Sequence, residues 1–335
     1  MKILVVGGAG FVGSHMCAML TEAGHEPVVL DNLSTGHADA VPDGVLVRGE
    51  IGQGPVLDAV FRAYRISAVI HFAAYSQVGE SIADPQKYYL NNVAGTLRLV
   101  ETMLRHDVRR LVFSSTAAVY GAPLGVPISE AHPPAPINPY GRSKWMVEQI
   151  LNDYDQAYGL RSVSLRYFNA AGASPDGTLG ERHEPETHLI PIALQVASGL
   201  RPHLEVFGRD YETPDGTCIR DYVHVEDLCR AHLLSLDRLF DGGHTATYNL
   251  GNGTGFSVLE VVGAVERVTG RRVPIRYRPR RAGDPPRLVA DAALARRELG
   301  WTPRHTRLET MVAHAWQWAR RSEGGCPVWL PQAAA

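Results

Sequence analysis

The chain has 335 residues, 45% hydrophobic and 20% charged, and its 33 Lys and Arg against 35 Asp and Glu give a formal net charge of −2. That apolar share excludes a disordered chain, and the lack of a basic excess argues against a nucleic-acid partner. No apolar run reaches the ~20 residues of a membrane span, and the four scattered cysteines (Cys17, Cys218, Cys229, Cys326) have neither metal nor disulfide spacing.

The N-terminus enters a strand-like run at once and leaves no room for a signal peptide, so a cytoplasmic protein without membrane contact or metal is expected. Strand-length apolar runs follow at residues 3–6, 27–30, 45–47, 68–72 and 111–113. Continuous runs, rather than period-two alternation, suit strands buried on both faces of a parallel sheet. Between them lie helix-like segments at 13–22, 55–64 and 84–105, then a helix opened by Pro139 and a strand at 162–168. Such alternation predicts an α/β fold with a doubly wound parallel sheet. Residues 170–188 read as a loop or lid. Beyond them helices are predicted at 189–198, 225–239, 257–269, 291–299 and 308–320, with one further strand at 248–250.

Three features carry chemistry. Gly7, Gly10 and Gly13 are spaced Gly-x-x-Gly-x-x-Gly between the first strand and the first helix, which lets backbone amides approach a pyrophosphate at a helix N-terminus. Asp31 ends the second strand, where a carboxylate accepts from a ribose 2′-OH. No Arg follows Asn32 to hold a 2′-phosphate, so NAD is expected rather than NADP. Glu50 and Ile51, after the third strand, are candidate adenine contacts. Tyr140 and Lys144, four apart at the start of a helix, project from one face. A tyrosine acts as a base near neutrality only if its pKa falls by ~3 units, which nearby cations promote. Thr116 closes Ser114-Ser115-Thr116 at the carboxyl end of the fifth strand and can reach the same substrate oxygen.

With these motifs in place, the sequence resembles the extended short-chain dehydrogenase/reductases, and within them the epimerases acting at C4 of UDP-hexoses. The likeness is collinear from the glycine turn to Asp284. It includes Asp31-Asn32-Leu33, His71-Phe72-Ala73-Ala74, Val78-Gly79-Glu80-Ser81 and residues 88–96, 113–121, 138–144, 166–169, 207–211, 215–227, 248–251 and 280–284. It implies a Rossmann-type domain over residues 1–172 and about 221–251, and a smaller C-terminal α/β domain for the UDP-sugar over about 173–220 and 252–335. By position, Tyr140 would be the general base and acid, Lys144 its activator, and Thr116 the hydroxyl partner at the sugar. Phe11, Val12, Phe72, Ala73, Ala74, Asn92, Ser114, Tyr167 and Phe168 would join the glycine turn in lining the NAD site. Asn169, His188, Leu189, Phe207, Arg220, Arg281, Asp284 and Leu288 would hold UDP and the sugar. His71 is expected to be structural.

The resemblance further implies C4 inversion through a 4-keto sugar with tightly bound NAD, and a homodimer built on the helices at 84–105 and after Pro139. Ser76, Glu50, His188 and Leu288 depart from the residues some members carry, and the last leaves the sugar's C2 substituent open. Ala117 and Ala118 follow Thr116 where dehydratases and decarboxylases of the family place an acid, which argues against both. A non-catalytic NAD-binding regulator would be expected to lack the Tyr and Lys that this chain keeps.

Overall fold

The computed structural model describes residues 1–281 and 284–321. Seven strands form one parallel sheet: β1 (Lys2–Val6), β2 (Glu26–Asp31), β3 (Leu46–Arg48), β4 (Ile66–His71), β5 (Arg110–Thr116), β6 (Arg161–Tyr167) and β7 (Ala246–Leu250). Their order is β3-β2-β1-β4-β5-β6-β7, so the winding reverses between β1 and β4. Ligands of such sheets bind at that reversal, outside the carboxyl ends of the strands. The register levels those ends. Val6 pairs with Leu30 and His71, and His71 pairs with Phe113. Gly7, Asp31 and Phe72 therefore stand at one edge, level with Ser114 of β5, which runs on beside β6 to Thr116.

Both faces of the sheet are buried, as the unbroken apolar runs require. Ile3 and Val5 pack with Met16 and Leu20 of α1 (Phe11–Glu22) and with the later helix Val225–Phe240. Leu4 and Val6 face the other way, toward α2 (Gly54–Ala63), α3 (Thr96–Arg105) and α4 (Pro139–Tyr158). The helix predicted over 84–105 starts at Asp84, whose carboxylate caps the Lys87 amide, but it widens to π geometry over Tyr89–Gly95 before α3. Apolar spacing does not register that extra residue per turn.

A second apolar core joins α5 (Leu189–Ala197), α7 (Val258–Thr269) and α8 (Leu308–Arg320), with Val225–Phe240 as α6. It is edged by short strand pairs, Leu204–Phe207 with Ile275–Arg278 and Ile219–Arg220 with Phe256–Ser257 and Arg287–Leu288. Asn169–Ala171 pairs with Tyr222–His224, so the segment expected to be a loop from residue 170 begins as strand. These two- to four-residue strands are too short to show a period, and none was foreseen. Cys17, Cys218 and Cys229 are unpaired; Cys326 lies outside the described residues. No helix among the described residues is long and apolar enough to cross a membrane.

Candidate active site

At the winding reversal the chain passes from β1 into α1 through the glycine turn. The Gly7 amide donates to Leu30 O at 2.8 Å, and Phe72 and Ala73 both donate to Val6 O, which draws the β4 exit against the turn. A Cβ on Gly13 would stand 2.2 Å from Gly7 O, so only glycine lets the helix begin this close to the strand. Gly10 caps α1 without any side-chain acceptor. The first-turn amides, from Phe11, Val12 and Gly13, are thus left for an anion, which fits a pyrophosphate. Asp31 is buried, and its two oxygens accept from the Ala9 amide at 2.9 Å and the Leu33 amide at 2.8 Å. Its carboxylate orients the turn while keeping lone pairs for a ribose. Asn32 caps the Ser34 amide. Ile51 is buried in the sheet core, whereas Glu50 is exposed.

Asn92 sits in the π-helical turn and spends its amide on the protein. It clamps both backbone groups of Tyr75 and donates to Ser143 Oγ, fixing the segment after Ala73 and Ala74 to α4. His71 is buried, and burial depresses its imidazole to about 3. The neutral ring donates from Nε2 to Thr96 Oγ1, so its role is structural.

The catalytic candidates meet where β5 ends. Asn138 caps α4 by accepting from the Gly141 amide at 2.8 Å, and Pro139 takes the first turn. A Cβ on Gly141 would fall 2.5 Å from Ala118 O. Glycine there lets α4 start against the turn after β5, which brings Tyr140 to Thr116. Burial raises the Tyr140 phenol above its usual value, opposed by its hydrogen bond with Thr116. The Thr116 hydroxyl also accepts from the Ala118 amide. Lys144 is buried, and its Nζ donates to Ser114 O at 2.8 Å. Burial pulls its ammonium down to about 7. The expected fall in the Tyr140 pKa does not follow from the chain's own groups, because desolvation outweighs the Thr116 hydrogen bond. Ser114 Oγ lies 2.9 Å from His232 Nε2. That ring is neutral, depressed by burial to about 4, and its Nδ1 donates to Leu228 O, so Ser114 is the donor.

On the substrate side, Tyr167 and Phe168 are half-buried at the β6 end, and exposed Asn169 donates to Asp221 O. His188 precedes α5 at its N-cap position without a side-chain cap, its ring exposed, and Leu189 is half-buried; the Glu181 carboxylate raises the His188 imidazole. Arg220 pairs with Asp284, and the Arg281 guanidinium lies 4.0 Å over the Phe207 ring. Two expected phosphate ligands thus have protein partners, one ionic and one aromatic. Leu288 is half-buried on a small cluster of Val119, Tyr120 and Ile128, beside Phe168.

Sequence reasoning missed Glu148. One turn beyond Lys144, it is buried, paired with Arg166 of β6, and accepts from Ser115 Oγ. Its charge holds the Lys144 pKa up against burial. The i, i+4 spacing from Lys144 was the available signal.

A parallel sheet with an uncapped helix start at its winding reversal, a carboxylate ending β2, and Tyr and Lys at the β5 end defines a dinucleotide-binding fold equipped for proton and hydride transfer. The chain belongs to the NAD dependent epimerase/dehydratase family, which it matches over residues 3–251. It is 51% identical over 325 residues to a UDP-glucose 4-epimerase of Halalkalibacterium halodurans, covering 97% of each chain. The crystal structure of UDP-glucose 4-epimerase from Brucella ovis in complex with NAD superposes with a TM-score of 0.92 at 52% identity, over 94% of this chain and 97% of that one. The Bifidobacterium longum enzyme in complex with NAD+ and UDP gives 0.90 at 39% identity, over 95% and 98%.

Proposed function

We propose that the chain interconverts UDP-glucose and UDP-galactose by inverting C4 of the hexose. The observation that carries this is the convergence of Tyr140, Thr116 and Lys144 at the sheet edge beside the uncapped start of α1. The relatives' activity supports it. The Gly10–Gly13 amides would hold the pyrophosphate of NAD, Asp31 its adenosine ribose, and Phe72, Ala73, Ala74, Ser114, Tyr167 and Phe168 its nicotinamide half. When bound, NAD supplies a hydride acceptor and a positive charge. Tyr140 takes the proton from O4 as C4 is oxidised and returns it after the 4-keto sugar has turned. Lys144 holds its ammonium behind Tyr140 and against Ser114 O, and Thr116 donates to O4. Asn169, His188, Leu189, Phe207, Arg220, Arg281 and Asp284 would anchor UDP, leaving the hexose free to rotate between apolar walls that include Leu288. Arg220 and Arg281 suit a diphosphate because a guanidinium matches phosphate geometry.

Ala117 and Ala118 have no proton to give, which disfavours dehydration and decarboxylation at this site. A homodimer working in the cytoplasm completes the reading. Incubation with UDP-galactose, UDP-N-acetylgalactosamine and a UDP-pentose, followed by product analysis, tests it. UDP-glucose should form from the first. No conversion of any of them by NAD-loaded protein would refute the assignment.

A further inference from the structure

We propose that Glu181, His183, Glu186 and His188 form a site for one divalent transition-metal ion, although the cysteine pattern predicts no metal. One ligating atom from each residue lies within 4.8 Å of the other three. In a tetrahedral site with ligands at roughly 2.1 Å, neighbouring donors are about 3.4 Å apart, so side-chain shifts of about an ångström close this set around an ion. His183 Nδ1 stands 3.1 Å from Glu181 Oε1 and 3.9 Å from Glu186 Oε1. The His188 Nδ1 also contacts Glu181 Oε1, and the two imidazoles meet edge to face at 5.3 Å.

A second observation points to a ligand. The Glu186 side chain is only 2% exposed. Its Oε1 accepts from the Thr187 and His188 amides at 2.7 and 2.9 Å, but its Oε2 is buried with no hydrogen-bond partner. A buried carboxylate oxygen left unpaired is costly, and a coordinated cation removes that cost. Two imidazoles and two carboxylates suit zinc, cobalt, nickel or manganese better than calcium or magnesium, which prefer all-oxygen sites. One such ion also neutralises both carboxylates. The competing arrangement pairs two protonated imidazoles with them and leaves Oε2 unsatisfied.

The cluster is held in place from several sides. Trp318 Nε1 donates to Glu181 O at 3.2 Å, His37 Nε2 lies 3.0 Å from Arg182 O, and Arg182 pairs with Asp39. Thr178, Leu179, Gly180 and Arg182 line a small cavity with Ala9, Gly10 and Phe11. The ion would fasten the segment between the glycine turn and the start of α5. The inference rests on the cluster; it shares His188 with the proposed UDP site, and metal uptake reads the cluster without any turnover.

The test is titration of untagged, chelator-stripped full-length protein with cobalt(II) chloride. We expect about one Co2+ per chain, with the visible absorption of a tetrahedral ion, displaced by zinc chloride, and a rise in Tm on loading. Glu186→Gln and His183→Gln should each weaken binding at least tenfold. His183 is half-buried, so its variant keeps the test open should Glu186→Gln not fold. Failure of the folded parent to take up stoichiometric Co2+, or equal uptake by a folded variant, would overturn the site and favour the proton-paired cluster.

Discussion

Tyr140 and Lys144 are both driven by burial toward their neutral forms, the phenol upward and the ammonium down to about 7. Desolvation at this sheet edge thus opposes charge on both groups, and an oppositely charged neighbour counters it. Removing the phenol should therefore affect chemistry rather than binding. Tyr140→Phe is expected to retain NAD and to lower kcat by ~10²–10⁴, the usual worth of a positioned acid–base group; near-normal turnover would contradict the assignment. Lys144 gives a pH signature. Its folded pKa lies below the unfolded value of 10.5, so between about pH 7 and pH 10 the unfolded chain binds more protons and stability rises with pH. Denaturant unfolding of the parent and Lys144→Met at pH 7 and 9.5 should show the parent gaining relative to the variant at the higher pH. Parallel behaviour would mean that Lys144 titrates normally.

At the scale of elements, α4 does most to assemble the site. Its start at Asn138-Pro139 sets Tyr140 against the turn after β5, and its next turns deliver Lys144 and Glu148 to the underside of β5 and β6. The Glu148–Arg166 pair is almost fully enclosed, at 3% and 7% side-chain exposure. Breaking it leaves a buried, unpaired guanidinium. Glu148→Gln should destabilise the protein by about 3–5 kcal/mol, read as a lower denaturation midpoint; a loss below 1 kcal/mol would show that Arg166 finds other partners. Much of this was legible in the sequence. Tyr140, Lys144 and Thr116 announced themselves by spacing, Gly7 to Gly13 by pattern, and the sheet by its unbroken apolar runs. Glu148 was hidden because a carboxylate on a helix usually faces solvent, and only Arg166, arriving from β6, makes its burial tolerable. The π-helical turn at Tyr89–Gly95 and the short strands around Arg220 depend on tertiary pairing, which local periodicity does not encode.

Over the fold as a whole, exposed apolar side chains recur on elements that pack against one another. Val78, Ile82 and Leu90 are exposed on the segment before α3, and Met146 is exposed on α4. Exposed apolar residues on neighbouring helices suit a two-fold interface. Sedimentation velocity should give twice the 36.6 kDa chain mass, and Ile82→Arg with Leu90→Arg should shift it to monomer; a monomeric parent would remove the dimer from the account.

In a C4 inversion of this kind, hydride leaves C4 and returns to the same carbon without reaching water. This return is tested most directly by incubating the NAD-loaded protein with UDP-glucose carrying deuterium at C4 and following both sugars by NMR and mass spectrometry. A mixture of UDP-glucose and UDP-galactose is expected, each with the label still at C4. Loss of deuterium to solvent, or conversion to a product other than the C4 epimer, would contradict it.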